Sequence, residues 1–412
     1  MISVHDALTT ILDTVSHLAG ERIGLLDAVG RVLAEAIRSE REVPPFANSA
    51  MDGYAVRWED IRDTNADQPV TLEVLEVIQA GAVPKQAVTP GTASKIMTGA
   101  VMPSGADTVV KVEDTEEHDE HVWIKRSERS GNNVRGRGED IGRGQVVLEK
   151  GRVLRPADIG LLASVGRSLV LVYQRPRVAI LSTGNELAEI DDTLHPGQIV
   201  NSNAYSLAAA VRDAGGIPIP LAIARDTLGE IRAALAEAVR HDVVLSTGGV
   251  SVGDFDFVKQ AMDELHMHRL FWQVAQRPGK PLTFGLLRER PYFGLPGNPV
   301  SALVCFYLYV LPALRKMTGY KKLFPPTMHA TMGAEVTKAK GLTEFIRCRI
   351  THERGHYTVH STGNQSSGVL SSLSLGEGLI IGPPEMPLLP KGLGVNVIVL
   401  DSNEFAGEEA PF

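Results

Sequence analysis

Two stretches of this 412-residue chain decide its fold: RVAILSTGNE at residues 177–186 and VVLSTGGVSVGD at residues 243–254. Each begins with aliphatic residues and then changes to small and hydroxyl-bearing residues that are followed by an acid. A short apolar run bounded by glycine is typical of a buried strand. Functional loops gather at the carboxyl ends of parallel strands. The two stretches therefore predict two buried strands whose loops contribute to a site at the carboxyl ends of the strands of one sheet.

Strand-like and helix-like segments alternate on both sides of these two strands, from residue 177 to about residue 320. This alternation predicts an α/β domain of three layers, with a mostly parallel sheet covered by helices on both faces. The predicted helices span residues 204–213, 228–240 and 256–265, and the other predicted strands span residues 217–223, 270–274 and 282–287.

The rest of the chain does not show this alternation of strands and helices. Helical periodicity predicts helices over residues 3–18, 26–36 and 156–165, which we expect to pack together. Short β-branched runs predict strands at residues 70–78, 92–97, 108–112 and 121–125, and a small β-barrel or sandwich after residue 325 that ends with a strand at 395–400. The predicted domains are a helical linking and dimerisation domain (1–43 with 143–174), an inserted β-rich domain (44–142), the α/β domain (175–322) and a C-terminal β domain (323–412).

The amino-acid composition argues against several classes of protein. A formal net charge of −8 argues against nucleic acid or an anionic membrane as the main partner. The two cysteines, Cys305 and Cys348, have apolar neighbours, and the N-terminus has no signal-peptide pattern, so we predict a cytoplasmic protein. Residues 291–314 carry no charge, but prolines interrupt them, and they predict a buried core helix over residues 300–311 rather than a membrane span.

An acidic residue stands at the end of each of the two stretches, 177–186 and 243–254. Glu186 and Asp254 end the two loops, and Asp226 follows the intervening predicted strand. Small residues let backbone N–H groups approach an anion, which these carboxylates would repel unless a cation lay between them. Mg²⁺ prefers such a shared carboxylate and phosphate site. Ordinary turn residues are the alternative, but two matching loops in one domain favour a metal-assisted anion site.

Two further segments of the α/β region suit anions. In the turn QRPGKP, residues 276–281, flanking prolines present Arg277 and Lys280 in a stiff loop. In GLPGNPVS, residues 294–301, Pro299 and Ser301 occupy a predicted first helical turn whose N–H groups face outward. A solvated basic turn and a plain helix start are the alternatives.

Three candidates lie in the inserted region. Asp52 lies within PPFANSAMDGYAV (44–56), Thr98 within IMTGA (96–100) and Asp140 within GED (138–140). Nothing local gives Asp52 a role, because Asp-Gly-Tyr alone is most often a turn.

Taken together, PPFANSAMDGYAV, STGNEL, STGGVSVGD, RPGKP and GLPGNPVSA resemble the MoeA family of molybdopterin molybdenumtransferases, which is related to the E domain of gephyrin and to plant molybdenum insertase. The similarity runs from about residue 3 to about residue 400, with the motifs in the order of the family. The sequence departs from the family pattern at Arg277, where lysine is frequent, and at Leu342, where arginine is frequent.

The resemblance implies an elongated homodimer of four domains, with a C-terminal β-barrel. The active site is expected between the α/β domain of one subunit and the inserted domain of the other, so that Asp52, Thr98 and Asp140 face Glu186, Asp226 and Asp254. The implied reaction inserts molybdenum from molybdate into adenylylated molybdopterin and releases AMP. The implied magnesium ligands are Glu186, Asp226 and Asp254, and Lys280 is a further catalytic residue.

Molybdate is expected near Ser301, Lys280 and Arg347. The residues expected to bind the substrates are Ser182, Thr183, Gly184, Thr247, Gly248, Gly249, Arg277, Lys280, Pro296, Gly297, Asn298, Pro299, Ser301, Arg347 and Ser367.

Two other functions stay open at this level. The α/β region also resembles the MogA-type proteins that adenylylate molybdopterin with ATP, but a stand-alone adenylyltransferase would not need the other domains. A non-catalytic scaffold like the E domain of gephyrin would not need the acids at the strand ends. A separate molybdopterin adenylyltransferase is a possible partner.

Overall fold

A computed structural model describes residues 1–126, 128–248 and 257–400. The predicted site residues Gly249 and Asp254 lie outside the described residues. The chain divides into two compact units. The first contains Met1–Glu21, Gly30–Ala34 and Val172–Phe412, and the second contains Arg22–Val29 and Glu35–Leu171.

The first unit contains the predicted α/β sheet. The three pairings among its first four strands are parallel and the last two pairings are antiparallel, so the prediction of a mostly parallel sheet is confirmed. In spatial order the strands are Ile217–Pro220, Arg177–Ser182, Val243–Thr247, Arg290–Leu295, Thr283–Leu287 and His268–Trp272.

Both faces of this sheet are buried. Val178 and Ile180 belong to one apolar cluster, whereas Ala179 and Leu181 belong to another, because successive side chains of a strand point to opposite faces. The helices that surround the sheet are Ser202–Asp213, Leu228–Ala238 and Phe257–Glu264. The three-layer prediction is thereby confirmed.

A continuous helical segment follows the last parallel strand. It contains the α-helix Pro299–Cys305, a π-helical turn Phe306–Val310 and the α-helix Leu311–Met317. The prediction that Pro312 ends this helix is wrong, because the proline lies at the start of a new α-helical turn directly after the wider π turn. Among the described residues this is the one helix long and apolar enough to cross a membrane, but 78% of its apolar window is buried inside the protein.

The C-terminal part of the first unit is a closed five-stranded barrel, which confirms the barrel prediction. The strand Thr343–Glu353 pairs with both Gly378–Gly382 and His356–Ser361, and this double pairing closes the ring. In spatial order the strands are Thr343–Glu353, His356–Ser361, Thr327–Met332, Gly394–Val399 and Gly378–Gly382. A two-residue strand from the basic turn, Gln276–Arg277, pairs in parallel with Thr343 and Glu344.

The second unit is built on a six-stranded sheet. The four strands predicted from the sequence in this region all form, each within one residue of its predicted end. In spatial order the strands are Thr108–Lys111, Gly53–Val56, Thr92–Ile96, Val70–Ile78, His121–Ile124 and Thr115–His118. The helix Pro156–Ser164 belongs to the same unit.

Two predictions about the N-terminal helices are wrong. The predicted helix over residues 26–36 is only a 3₁₀ turn, Leu25–Ala28, because the chain then passes through Gly30 at φ +77°, outside the helical region. The first helix, Val4–Thr14, does form, but its buried residues Ala7 and Ile11 share an apolar cluster with Leu314 instead of packing with residues 156–165.

Candidate active site

Two adjoining cavities open at the carboxyl ends of the parallel strands. The cavity that we call the basic cavity has a volume of about 580 Å³ and is lined by Arg277, Lys280, Ser301, Leu342 and Ser367 among others. The second, the strand-end cavity, has a volume of about 660 Å³. Its lining includes Thr183, Glu186, Asn203, Thr247, Gly248, Gly297 and Pro299. Both cavities share Pro281, Pro296 and Asn298.

The two strand-end loops approach each other closely. The backbone N–H of Thr183 donates to the carbonyl of Thr247 at 3.1 Å. Gly248 has φ +90°, and a Cβ at this position would lie 2.5 Å from the carbonyl oxygen of Thr183. Only glycine fits this contact, so the small residues predicted to form an anion-binding loop also permit the loops to meet.

Two of the predicted acids lie around one short loop. One carboxylate oxygen of Asp226 accepts the backbone N–H of Asn185 at 3.1 Å, and the Asn185 side chain accepts the N–H of Asp226 at 3.1 Å. Glu186 is exposed and lines the strand-end cavity, and its carboxylate makes no hydrogen bond or ion pair with any described residue. A free carboxylate beside an ordered one suits a hydrated divalent cation.

Residues 1–126, 128–248 and 257–400 contain no group of three metal-ligating side chains. Asp254, the third predicted ligand, lies outside this part of the chain, and the magnesium site stays a prediction. Ser182 and Gly184 lie at the same strand end, and Ser182 is buried. The hydroxyls of Ser182 and Thr183 have no hydrogen-bond partner among the described residues. Buried hydroxyls usually have a partner, so their state is consistent with a polar ligand at this strand end.

The basic turn lies directly on the long core helix. Gly279 has φ +88°, and a Cβ there would lie 2.4 Å from the sulfur of Cys305. Nε of Arg277 lies 3.7 Å from a carboxylate oxygen of Glu344. Lys280 is exposed, and its ammonium group has no partner in the described parts of the chain, so it is available to an anion.

The start of the core helix differs from its prediction. The N–H of Val300 donates to the carbonyl of Ser367 at 3.2 Å, so the prediction of a fully open helix start is wrong for this group. Ser301 is buried in the first turn and lines the basic cavity. The helix start therefore offers fewer backbone donors than the sequence suggested, and it fastens the loop that contains Ser367.

Arg347 lies behind the basic cavity and is only 1% exposed. Its guanidinium group donates to the Ser372 hydroxyl and to the three consecutive carbonyls of residues 364–366, each at 3.1 Å. The same loop lines the cavity, whereas Arg347 itself does not. Arg347 thus contacts the wall of the predicted anion site.

Asp52 and Thr98 contact each other in the second unit. One carboxylate oxygen of Asp52 accepts both the backbone N–H and the hydroxyl of Thr98, each at 2.7 Å. These bonds stabilise the charged form, and they hold the pKa of Asp52 below its usual value. Asp140 is exposed, and its carboxylate has no partner among the residues that the structure describes.

Replacement of Thr98 by valine should raise the pKa of Asp52, because the hydroxyl bond is lost while the backbone bond remains. Since the pKa of Asp52 is lowered in the folded state, the Asp52–Thr98 contact is complete above that pKa and is lost as the pH falls through it. The measurement is an NMR titration of the Asp52 carboxyl carbon. Thr115→Val is the control, because the Thr115 hydroxyl donates to a backbone carbonyl of Val112 and not to a carboxylate. An Asp52 pKa that is equal in the two variants would contradict the assignment.

Asn203 is a site residue that the sequence analysis missed. Its side-chain N–H₂ group donates to the Thr247 hydroxyl at 2.8 Å and to the carbonyl of Gly297 at 2.8 Å. It therefore links a strand-end loop to the turn before the core helix. A signal was present, because Asn201 caps this helix and an Asn-Ser-Asn helix start is rich in polar groups that can reach a site.

Three family models match the chain in sequence order. They describe the MoeA N-terminal region (domains I and II) at residues 2–166, a probable molybdopterin binding domain at residues 179–316 and the MoeA C-terminal region (domain IV) at residues 329–400.

Full-length relatives agree with these matches. A molybdopterin molybdenumtransferase of Nostoc sp. is 40% identical, over 97% of this chain and 94% of the relative. Molybdopterin molybdenumtransferase 2 of Mycobacterium tuberculosis is 38% identical, over 96% of this chain and 99% of the relative. A crystal structure of a molybdopterin biosynthesis MoeA protein from Pyrococcus horikoshii has a TM-score of 0.84 at 32% identity and covers 97% of this chain and 100% of that one.

The fold, the two cavities and these matches define an enzyme of molybdenum cofactor biosynthesis. The chain belongs to the MoeA family, which confirms the resemblance seen in its motifs.

Proposed function

We propose that the chain transfers molybdenum from molybdate to adenylylated molybdopterin and releases AMP. The observation that supports this most directly is the pair of adjoining cavities, which share Pro281, Pro296 and Asn298. One cavity is cationic and the other is formed by small-residue loops at strand ends. A small dianion and a larger phosphorylated ligand could therefore bind next to each other, as a transfer between them requires.

The basic cavity is the molybdate site. Lys280 provides an unpaired ammonium group and Arg277 a guanidinium group, while the hydroxyl of Ser301 offers a neutral donor. Molybdate is a tetrahedral dianion, and charge-assisted hydrogen bonds from such groups stabilise it. The local cations are needed because the chain carries a net charge of −8, which repels anions overall.

The strand-end cavity holds the pterin nucleotide. Glu186 and Asp226, with Asp254 as the third acid, would hold Mg²⁺ against the phosphates. The bound Mg²⁺ would supply polarisation of the phosphoanhydride. Thr183 and Gly248, which directly follow the two strands, orient the nucleotide, and Lys280 offsets charge on the leaving phosphate.

The atoms of this reaction balance without an oxidant or a reductant. Two dithiolene sulfurs replace one oxo group of molybdate, and one water is released. Hydrolysis of the phosphoanhydride consumes one water and gives AMP and the pterin phosphate.

We further propose a cytoplasmic homodimer. Asp52 and Thr98, whose contact is described above, and Asp140 would face the strand-end cavity of the other subunit. The Asp52 carboxylate is charged and fixed by two bonds, as expected for a group that orients a cation or a donor. A molybdopterin adenylyltransferase would supply the substrate, either free in solution or by docking.

The function is tested by measuring AMP release from adenylylated molybdopterin with and without molybdate and Mg²⁺. We expect release only when both are present. Formation of adenylylated product from molybdopterin and ATP would instead establish the adenylyltransferase alternative. Binding of the pterin nucleotide without turnover in any condition would favour the scaffold.

Lys280→Ala should reduce turnover about 100-fold, because removal of one charged donor from a developing oxyanion has an effect of this size. The measurement is the steady-state rate of AMP release. Lys322→Ala is the matched control, since Lys322 is exposed and outside both cavities. Equal rates for the two variants would remove Lys280 from the mechanism.

A further inference from the structure

A buried polar pair lies beneath the basic turn. Gln276 is fully buried, and its side-chain N–H₂ group donates to the carbonyl of Pro278 at 3.0 Å and, at 3.4 Å, to that of Gly279. The hydroxyl of Tyr309, also fully buried, donates to the side-chain oxygen of Gln276. The turn is therefore hydrogen-bonded to the core helix through Gln276, and the Cys305 thiol of that helix adds a weaker bond to the carbonyl of Gly279 at 3.6 Å.

Tyr309 lies in the π turn Phe306–Val310 of the long core helix. π turns occur frequently at functional sites. Burial raises the pKa of the Tyr309 hydroxyl, which therefore stays protonated and keeps its donor role at physiological pH.

The pair has no evident purpose as a simple core contact. A glutamine amide loses its hydration when it is buried, and its hydrogen bonds mainly offset that loss. Two apolar side chains of similar shape would fill the same space with little change in stability. The bonds do, however, fix the carbonyls of Pro278 and Gly279, and Arg277 and Lys280 lie immediately before and after these two residues.

We propose that Gln276 and Tyr309 are positioning residues that set the placement of Arg277 and Lys280, and thereby determine the affinity of the basic cavity for a tetrahedral dianion. Neither residue has exposed surface with which to bind the anion itself. The inference rests on the proposed function, because it assigns a determinant of affinity to the same cavity.

The test uses Gln276→Leu, Tyr309→Phe and the double variant in the full chain. The dissociation constant of inorganic molybdate is measured by calorimetry, and the KM for molybdate and kcat are measured by AMP release. We expect affinity to fall about tenfold in each single variant, the loss that follows when positioning hydrogen bonds are removed. The double variant should be no weaker than the singles, because both substitutions break the same link. KM for molybdate should rise, and kcat should fall by less than the loss of about 100-fold expected for Lys280→Ala, because the lysine is displaced and not removed.

Thr318→Val is the control, because Thr318 is a buried hydroxyl residue on the same helix that bonds only within it. Its molybdate affinity should match that of the wild type. If Gln276→Leu does not fold, Tyr309→Phe, which removes only one oxygen atom, carries the test. Wild-type affinity in the variants would overturn the inference, and so would additive losses in the double variant. Failure of the wild-type protein to bind molybdate would instead contradict the proposed function.

Discussion

Arg347→Met is expected to destabilise the protein by about 3 to 5 kcal/mol, because several buried acceptors lose a charged donor at about 1 to 3 kcal/mol each and the losses are not fully additive. Arg347 is the largest fully buried side chain among the described residues, and it bonds to three loop carbonyls and to the Ser372 hydroxyl. Methionine fills part of the space but offers no donor. Urea unfolding followed by circular dichroism measures the difference in the free energy of unfolding.

Arg349→Met is the matched control, since Arg349 lies two residues further along the same strand and is exposed. Its effect should stay within about 0.5 kcal/mol, as for most surface substitutions. Equal stability of the two variants would show that the bonds made by Arg347 contribute little.

Arg347→Lys separates two roles of this residue. The family resemblance implies a direct contact with molybdate, and lysine would keep much of a simple charge contact. The structure instead favours an action through the loop, because an ammonium group cannot reach the three carbonyls of residues 364–366 together. We therefore expect the lysine variant to bind molybdate as poorly as the methionine variant.

Gly53→Ala is expected to unfold the second unit, with a loss of at least about 4 kcal/mol, since a severe clash in a packed core is one of the few causes of effects of this size. The added Cβ would lie 1.9 Å from the carbonyl oxygen of Val110 on the neighbouring strand. The strand Gly53–Val56 is paired on both sides, so neither backbone can shift without breaking a ladder. Hydrogen exchange of residues 53–56 and 108–111 reports the result directly.

Gly160→Ala is the control for this prediction. Gly160 lies in the helix Pro156–Ser164 of the same unit, with no atom within 4 Å of an added Cβ. Alanine should be neutral or slightly stabilising there, because it favours the helix. Normal protection of the strands in Gly53→Ala would show that the sheet can absorb the added carbon.

The sequence predicted most of the sheets because their strands are short apolar runs bounded by turn residues, a local pattern. The predicted helix over residues 26–36 was wrong. Apolar residues keep a helical spacing past Gly30, although the backbone leaves the helical region at that residue. The prediction at Pro312 was also wrong, because the preceding π turn cannot be seen in a residue pattern.

The candidate site was predictable to a similar degree. Lys280 and Glu186, which line the two cavities, were predicted because loops after strands converge at one edge of the sheet. The Asn203 link and the Gln276–Tyr309 pair were not found, because each joins residues at least 33 positions apart through tertiary packing. The placement of Arg347 behind the loop depends in the same way on how the barrel closes.

The strand Gln276–Arg277 of the basic turn pairs in parallel with Thr343–Glu344 of the barrel. The α/β domain and the barrel therefore cannot be separated without a change at the basic cavity. Truncation before the barrel would leave the central strands of the α/β sheet intact. Such a fragment would nevertheless lose the neighbouring strand of its cationic turn, and with it Glu344 and the wall formed by residues 364–367. A protein that acquires this α/β domain without the barrel must therefore provide another strand beside the basic turn before the turn can bind an oxyanion.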